Sequence, residues 1–145
     1  MATNNADTQS ILRALFKQAP FIADIGLELK DAGAGWCETE LAILPKHLQQ
    51  DGFVHAGVQA TMADHTAGAA AGTLAKPNEI VLTVEFKINL LRPAKGERLS
   101  CKAQVIKPGR TIIVAESEVH SFNQGQSALV AKATVTLMLV AKAGS

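Results

Sequence analysis

The chain has 145 residues, enough for one domain with its own core, and 48% of them are hydrophobic, which excludes wholesale disorder. Its 14 basic and 13 acidic residues leave a formal charge of +1, and with one Trp and no Tyr it has neither the basic face nor the stacking aromatics of a nucleic-acid binder. No apolar run is long and charge-free enough to cross a bilayer; the segment TVTLMLVA is short and alternates as a strand does.

The polar N-terminus, MATNNADTQS, lacks the basic and apolar regions of a signal peptide, so a soluble cytoplasmic protein is expected. A single domain over residues 1–145 is expected, with residues 1–7 flexible. Residues 8–18 read as a short helix: Ile11, Leu12, Leu15 and Phe16 share a face, Thr8 is a candidate N-cap, and Pro20 closes the segment. Two strands are predicted at 22–31 and 36–44, separated by the turn-prone Ala32-Gly33-Ala34-Gly35. Cys37 and Cys101 fall in strand-like runs without metal-type spacing and are expected to be reduced core residues.

After a loop at 46–54 comes HAGVQATMADHTAGAAAGTLA, read as one long helix over 55–75. Ala56, Ala60, Ala63, Ala67 and Ala71 make a stripe of minimal side chains that can lie close against a sheet. Glycines at 57, 68 and 72 each cost about 1 kcal/mol relative to Ala in a helix interior, so packing has to hold the segment. Four strands follow, at 82–90, 98–107, 110–122 and 127–142. Turns at 93–96, 108–109 and 123–125 suggest hairpins of an antiparallel meander. This order predicts an α+β fold in which a curved antiparallel sheet wraps a long central helix, with a free sheet edge that invites a second subunit.

The run GFVHAGVQATMADHTAGAAAG resembles the central-helix signature of the hot-dog thioesterases, in the phenylacetyl-CoA thioesterase-like (PaaI-like) branch. In that branch His-Gly-Gly is followed by small or apolar residues and then an acidic residue eight positions past the first Gly. Here His55, Ala56 and Gly57 occupy the opening and Asp64 the carboxylate position. The segments TVEFKINLLRPAKGE and VIKPGRTIIVAESEVH look like the family's paired strands and phosphate-side turn. The resemblance implies a hot-dog fold and hydrolysis of an acyl-CoA thioester, with no cofactor beyond the CoA of the substrate. It also implies a homodimer assembling into a tetramer. Ala56 departs from the usual Gly at the position whose backbone N–H is the family's oxyanion donor, and an Ala amide serves there at negative φ.

Thioester hydrolysis needs an activated water and a donor for the developing oxyanion. Asp64 is the one acidic residue of the long helix and the candidate general base or nucleophile; otherwise it caps a helix break or faces solvent. Gln49 stands where relatives carry an Asn or Gln that contacts the thioester or the water. His55 either positions the loop and touches the thioester or is a structural histidine bonded to the backbone. Thr83 orients the water, as a Ser or Thr does in relatives, or is simply a β-favouring residue. Phe53, Val58 and Met62 are candidates to line the acyl cavity, and Arg92, Lys107 and Arg110 to meet the CoA phosphates.

Helix geometry adds a constraint of its own. Ala56 and Asp64 are eight residues apart, about 12 Å along a helix axis, and His55 and Asp64 lie on roughly opposite faces. One chain therefore cannot grip one carbonyl with both, so a site using both is shared between two subunits. Two other functions fit the same fold: a β-hydroxyacyl dehydratase, and a non-catalytic acyl-CoA-binding module.

Overall fold

The computed structural model describes residues 4–144. Two helices come first, α1 (Asn5–Gln18) and α2 (Pro20–Ile25), then strands β1 (Glu28–Gly33) and β2 (Trp36–Ala42). A helical turn at Pro45–His47 leads to the long helix α3 (Ala56–Gly72). Strands β3 (Glu79–Leu90), β4 (Arg98–Pro108), β5 (Ile112–Asn123) and β6 (Gln126–Ala141) complete the chain. The six strands form one antiparallel sheet in the order β1-β2-β4-β5-β6-β3, with α3 packed against β2 through β6. This is the expected sheet around a central helix.

Small side chains set the distance between helix and sheet. From the alanine stripe, Ala63, Ala67 and Ala71 are buried, whereas Ala56 is exposed and Ala60 half-buried. So close an approach brings side-chain hydroxyls of the sheet onto the helix. Ser117 donates to the carbonyl of Ala63 at 2.7 Å, and Thr66 gives its proton to the carbonyl of Met62 at 2.6 Å. The 2.7 Å contact between Thr39 and Thr66 therefore has Thr39 as donor, and both buried hydroxyls are satisfied.

Four expectations need correction. Helix α1 starts at Asn5 with Asn4 before it, so Thr8 lies inside the helix and is not its N-cap, and residues 1–3 lie outside the described residues. Pro20 opens α2 at its first helical position, where the missing N–H is no loss, and residues 22–25 are helical. The helix ends on Gly26 at φ 78°, a left-handed conformation, and only then does the first strand begin. The apolar residues Phe21, Ile22 and Ile25 in so short a run do not separate helix from strand.

The third correction concerns topology. The turns after β4 and β5 are hairpins, the latter through Gln124 and Gly125 at φ 50° and 77°. Segment 93–96 is not a hairpin, because β3 pairs with β6 along its length. Instead, Leu91 and Arg92 bond to the Val130 carbonyl, and Ala94, buried, accepts from Val54 at 2.9 Å. The segment is a strap across the start of α3.

The fourth concerns β3, whose apparently unbroken alternation hides a bulge. Thr83 pairs with Leu137 and Glu85 with Thr136, leaving Val84 extra. Before the bulge Val81 and Thr83 oppose the inward Leu139 and Leu137; after it Phe86 and Ile88 oppose the inward Val135 and Ala133. Thr83 and Phe86 thus both face the helix side, which strict alternation would forbid.

Candidate active site

The first turn of α3 gathers several of the predicted site residues. His55 is its N-cap, and its Nδ1 accepts the Gly57 N–H at 2.8 Å, while its own N–H donates to the His47 carbonyl at 2.8 Å. The Gly57 amide is therefore occupied. The Ala56 N–H has no acceptor among the described residues, as befits the first position of a helix. With Nδ1 accepting, the neutral His55 ring carries its proton on Nε2. His47, buried, accepts from Leu44 N–H at 2.9 Å and meets the Ile25 carbonyl at 2.7 Å, bracing the loop that delivers His55.

A cleft of about 530 Å³ opens at this turn. Of the predicted residues it gathers Gln49, Phe53, His55, Ala56 and Arg92. Gln49 Oε1 accepts from the Asp51 N–H, which leaves the Gln49 NH2 as its available donor. Arg92 donates to the Leu129 carbonyl at 3.0 Å and so holds its charge at the rim. Leu90 from the end of β3, Leu91, Pro93 and Ala94 from the strap, Gln50 and Val54 from the loop before α3, and Gln59 from α3 complete the lining. Reading 93–96 as a hairpin hid the strap. Gln59 was legible in principle, because a residue three past Ala56 neighbours it on a helix surface.

Asp64 lies outside this cleft. It is half-buried on α3, and Thr83 on β3 donates to its Oδ1 at 2.7 Å. The β3 bulge is what points the Thr83 hydroxyl inward. Its neighbour His65 packs its ring edge-on against Phe16 of α1, with centroids 4.5 Å apart. Burial holds the His65 pKa below the ordinary value, against an opposing pull from the Asp64 charge.

Four residues predicted to line the acyl cavity or meet the phosphates are not brought to the cleft. Met62 is 0% exposed and belongs to the core, because it shares the sheet-facing side of α3 with Ala63 and Thr66. Val58 is half-buried and packs on the core outside the lining. Lys107 and Arg110 sit at the far end of β4; nine residues of strand separate Lys107 from Arg98, roughly 30 Å. The two cysteines are buried and unpaired, their thiols pushed up to about 12, chiefly by desolvation, so they stay protonated and unreactive in the fold.

An antiparallel sheet wrapped on one long small-residue helix is the hot-dog thioesterase fold. The chain belongs to the Thioesterase superfamily, whose model matches residues 51–128. A solved thioesterase family protein from Silicibacter pomeroyi is 37% identical and superposes with a TM-score of 0.90, covering 96% of this chain and 100% of that one. A 1,4-dihydroxy-2-naphthoyl-CoA hydrolase of Listeria monocytogenes is 28% identical over 66% of this chain and 77% of its own length. The medium/long-chain acyl-CoA thioesterase YigI of Escherichia coli is 25% identical over 83% of this chain and 85% of its own. Among the described residues no helix is long and apolar enough to cross a membrane.

Proposed function

We propose that this thioester hydrolase cleaves acyl-CoA to the free acid and CoA in sites shared between two copies of the chain, and that it needs no cofactor beyond the CoA of its substrate. The observation that carries the reading is the Thr83–Asp64 hydrogen bond of 2.7 Å, which fixes a half-buried carboxylate that lies outside the cleft at the start of its own helix. The thioester carbonyl lies on the Ala56 N–H of one subunit, backed by the Gln49 NH2. Asp64 of the other subunit approaches the carbonyl carbon. It takes the proton of a water that adds to that carbon, or it adds itself and water cleaves the resulting anhydride. In either route the oxyanion is held by the Ala56 amide, the C–S bond breaks, and the sulfur leaves as CoA thiolate to be protonated. Arg92 at the rim faces the CoA phosphates. Lys107 and Arg110 reach such a site only from the second subunit.

Strand β3 supports the shared site. It is one of the sheet's two edge strands, with Val84 57% and Leu82 52% exposed and no Pro to block pairing. Pairing of two β3 strands would cover this edge and bring a second α3 alongside the first; tetramers would arise by stacking such dimers. The test is CoA release from aryl, short, medium and long acyl-CoA thioesters, wild type beside Asp64→Asn. Turnover on some thioester, reduced at least about 100-fold by the substitution, is expected. Unchanged turnover in Asp64→Asn would remove that residue from the reaction.

A further inference from the structure

Among the described residues one buried side-chain polar atom has no hydrogen-bond partner: Oε1 of Gln59. The residue is 3% exposed and helps line the cleft at the start of α3. Its Nε2 donates to the Val54 carbonyl at 3.4 Å, which turns the amide beneath the first turn of the helix. An acceptor held out of water without a donor is destabilising, and protein interiors avoid leaving one. A leucine would fill the same space without that penalty, so what the glutamine adds is the acceptor.

Burial makes this oxygen distinctive in the cleft. The Ala56 N–H, the Gln49 NH2, the His55 Nε2–H and the Arg92 guanidinium are donors, no carboxylate lines the cleft, and the other amide side chain there, Gln50, is exposed to water with its NH2 on Asp51. Gln59 lies three residues past Ala56, about 4.5 Å along the axis and beside it on the helix surface. A carbonyl seated on the Ala56 amide would place Gln59 next to the atoms flanking the thioester. Two kinds of donor occur there: the pantetheine amide N–H, two carbons from the sulfur, and a hydroxyl on the acyl group close to the carbonyl.

We infer that Gln59 Oε1 accepts a hydrogen bond from an N–H or O–H of the thioester substrate, and so favours thioesters with a donor beside the reacting carbonyl. The inference rests on the acyl-CoA reading above. It is tested by kcat/KM ratios in two arms. One compares thioesters of N-acetylcysteamine with those of the thiol in which CH2 replaces the amide N–H. The other compares 3-hydroxyacyl-CoA and 2-hydroxyaroyl-CoA with their deoxy partners. The expected result is a wild-type preference of at least about tenfold for the donor-bearing member in one arm, falling close to unity in both Gln59→Leu and Gln59→Met. The arm that responds identifies the donor. Where a variant lacks turnover, the same ratios are read as calorimetric Kd values with thioether analogues. Wild-type ratios near unity in both arms, or ratios untouched by the substitutions, overturn the Gln59 assignment alone. A wild type that cleaves no acyl-CoA overturns the acyl-CoA reading, and the Gln59 assignment falls with it.

Discussion

The Thr83 hydroxyl has one proton, and it is given to Asp64. That fixes one carboxylate oxygen and leaves the other to meet water or substrate. Thr83→Val keeps the β-branched shape of the strand residue and removes only the donor. A hydrogen bond to a charged group is worth roughly 1.5–3 kcal/mol, so kcat is expected to fall about tenfold or more with KM little changed, and Thr83→Ser to restore it. Because Thr83 acts through Asp64, the double variant with Asp64→Asn should be no slower than Asp64→Asn alone. Additive losses would mean that the hydroxyl has a separate task. Steady-state kinetics on the four proteins decides it.

At the scale of elements, α1 matters to the site because Phe16 seals His65 against α3. His65 is neutral in the fold, its pKa held below that of the unfolded chain by desolvation. As pH falls below about 6.5, the unfolded chain takes up the proton first, and stability present at neutral pH is progressively lost until the folded pKa is passed. His65→Phe keeps a ring against Phe16 without the titration. Urea midpoints at pH 7.5 and 5.5 should differ less in that variant than in wild type; an equal difference would assign the acid sensitivity to other groups. Much of this architecture was legible in the residues. The helix–strand order, the central helix and the places of Asp64 and Ala56 follow from periodicity and from the His55-to-Asp64 motif. What stayed hidden was non-local. No pattern in the sequence says that β3 pairs with β6 and not with β4, and the bulge at Val84 depends on the partner strand. Without the bulge the alternation of 82–90 would turn Thr83 away from α3, so its link to Asp64 could not have been derived from strand periodicity. Helix α2 was missed because six residues are too few for a period to show.

For the whole molecule the decisive question is whether one chain holds a complete site. Along α3 the Ala56 amide and the Asp64 carboxylate are about 12 Å apart, too far to act on one carbonyl from the same helix. Each group can be removed separately. Asp64→Asn removes the carboxylate. Ala56→Pro removes the amide hydrogen, and the fold tolerates it: Pro is favoured at the first helical position, and His55 before it already has φ −58° and ψ 139°, the extended conformation that a residue preceding Pro requires. Each variant alone is expected to be nearly inactive. Co-expressed with different tags and purified through both, the mixed dimer has one site with both defects and one with neither, so about half of wild-type activity should return. A site built within one chain would leave the mixed dimer as inactive as its parents, since neither chain carries an intact pair. Recovery can come only from Ala56 of one subunit working with Asp64 of the other.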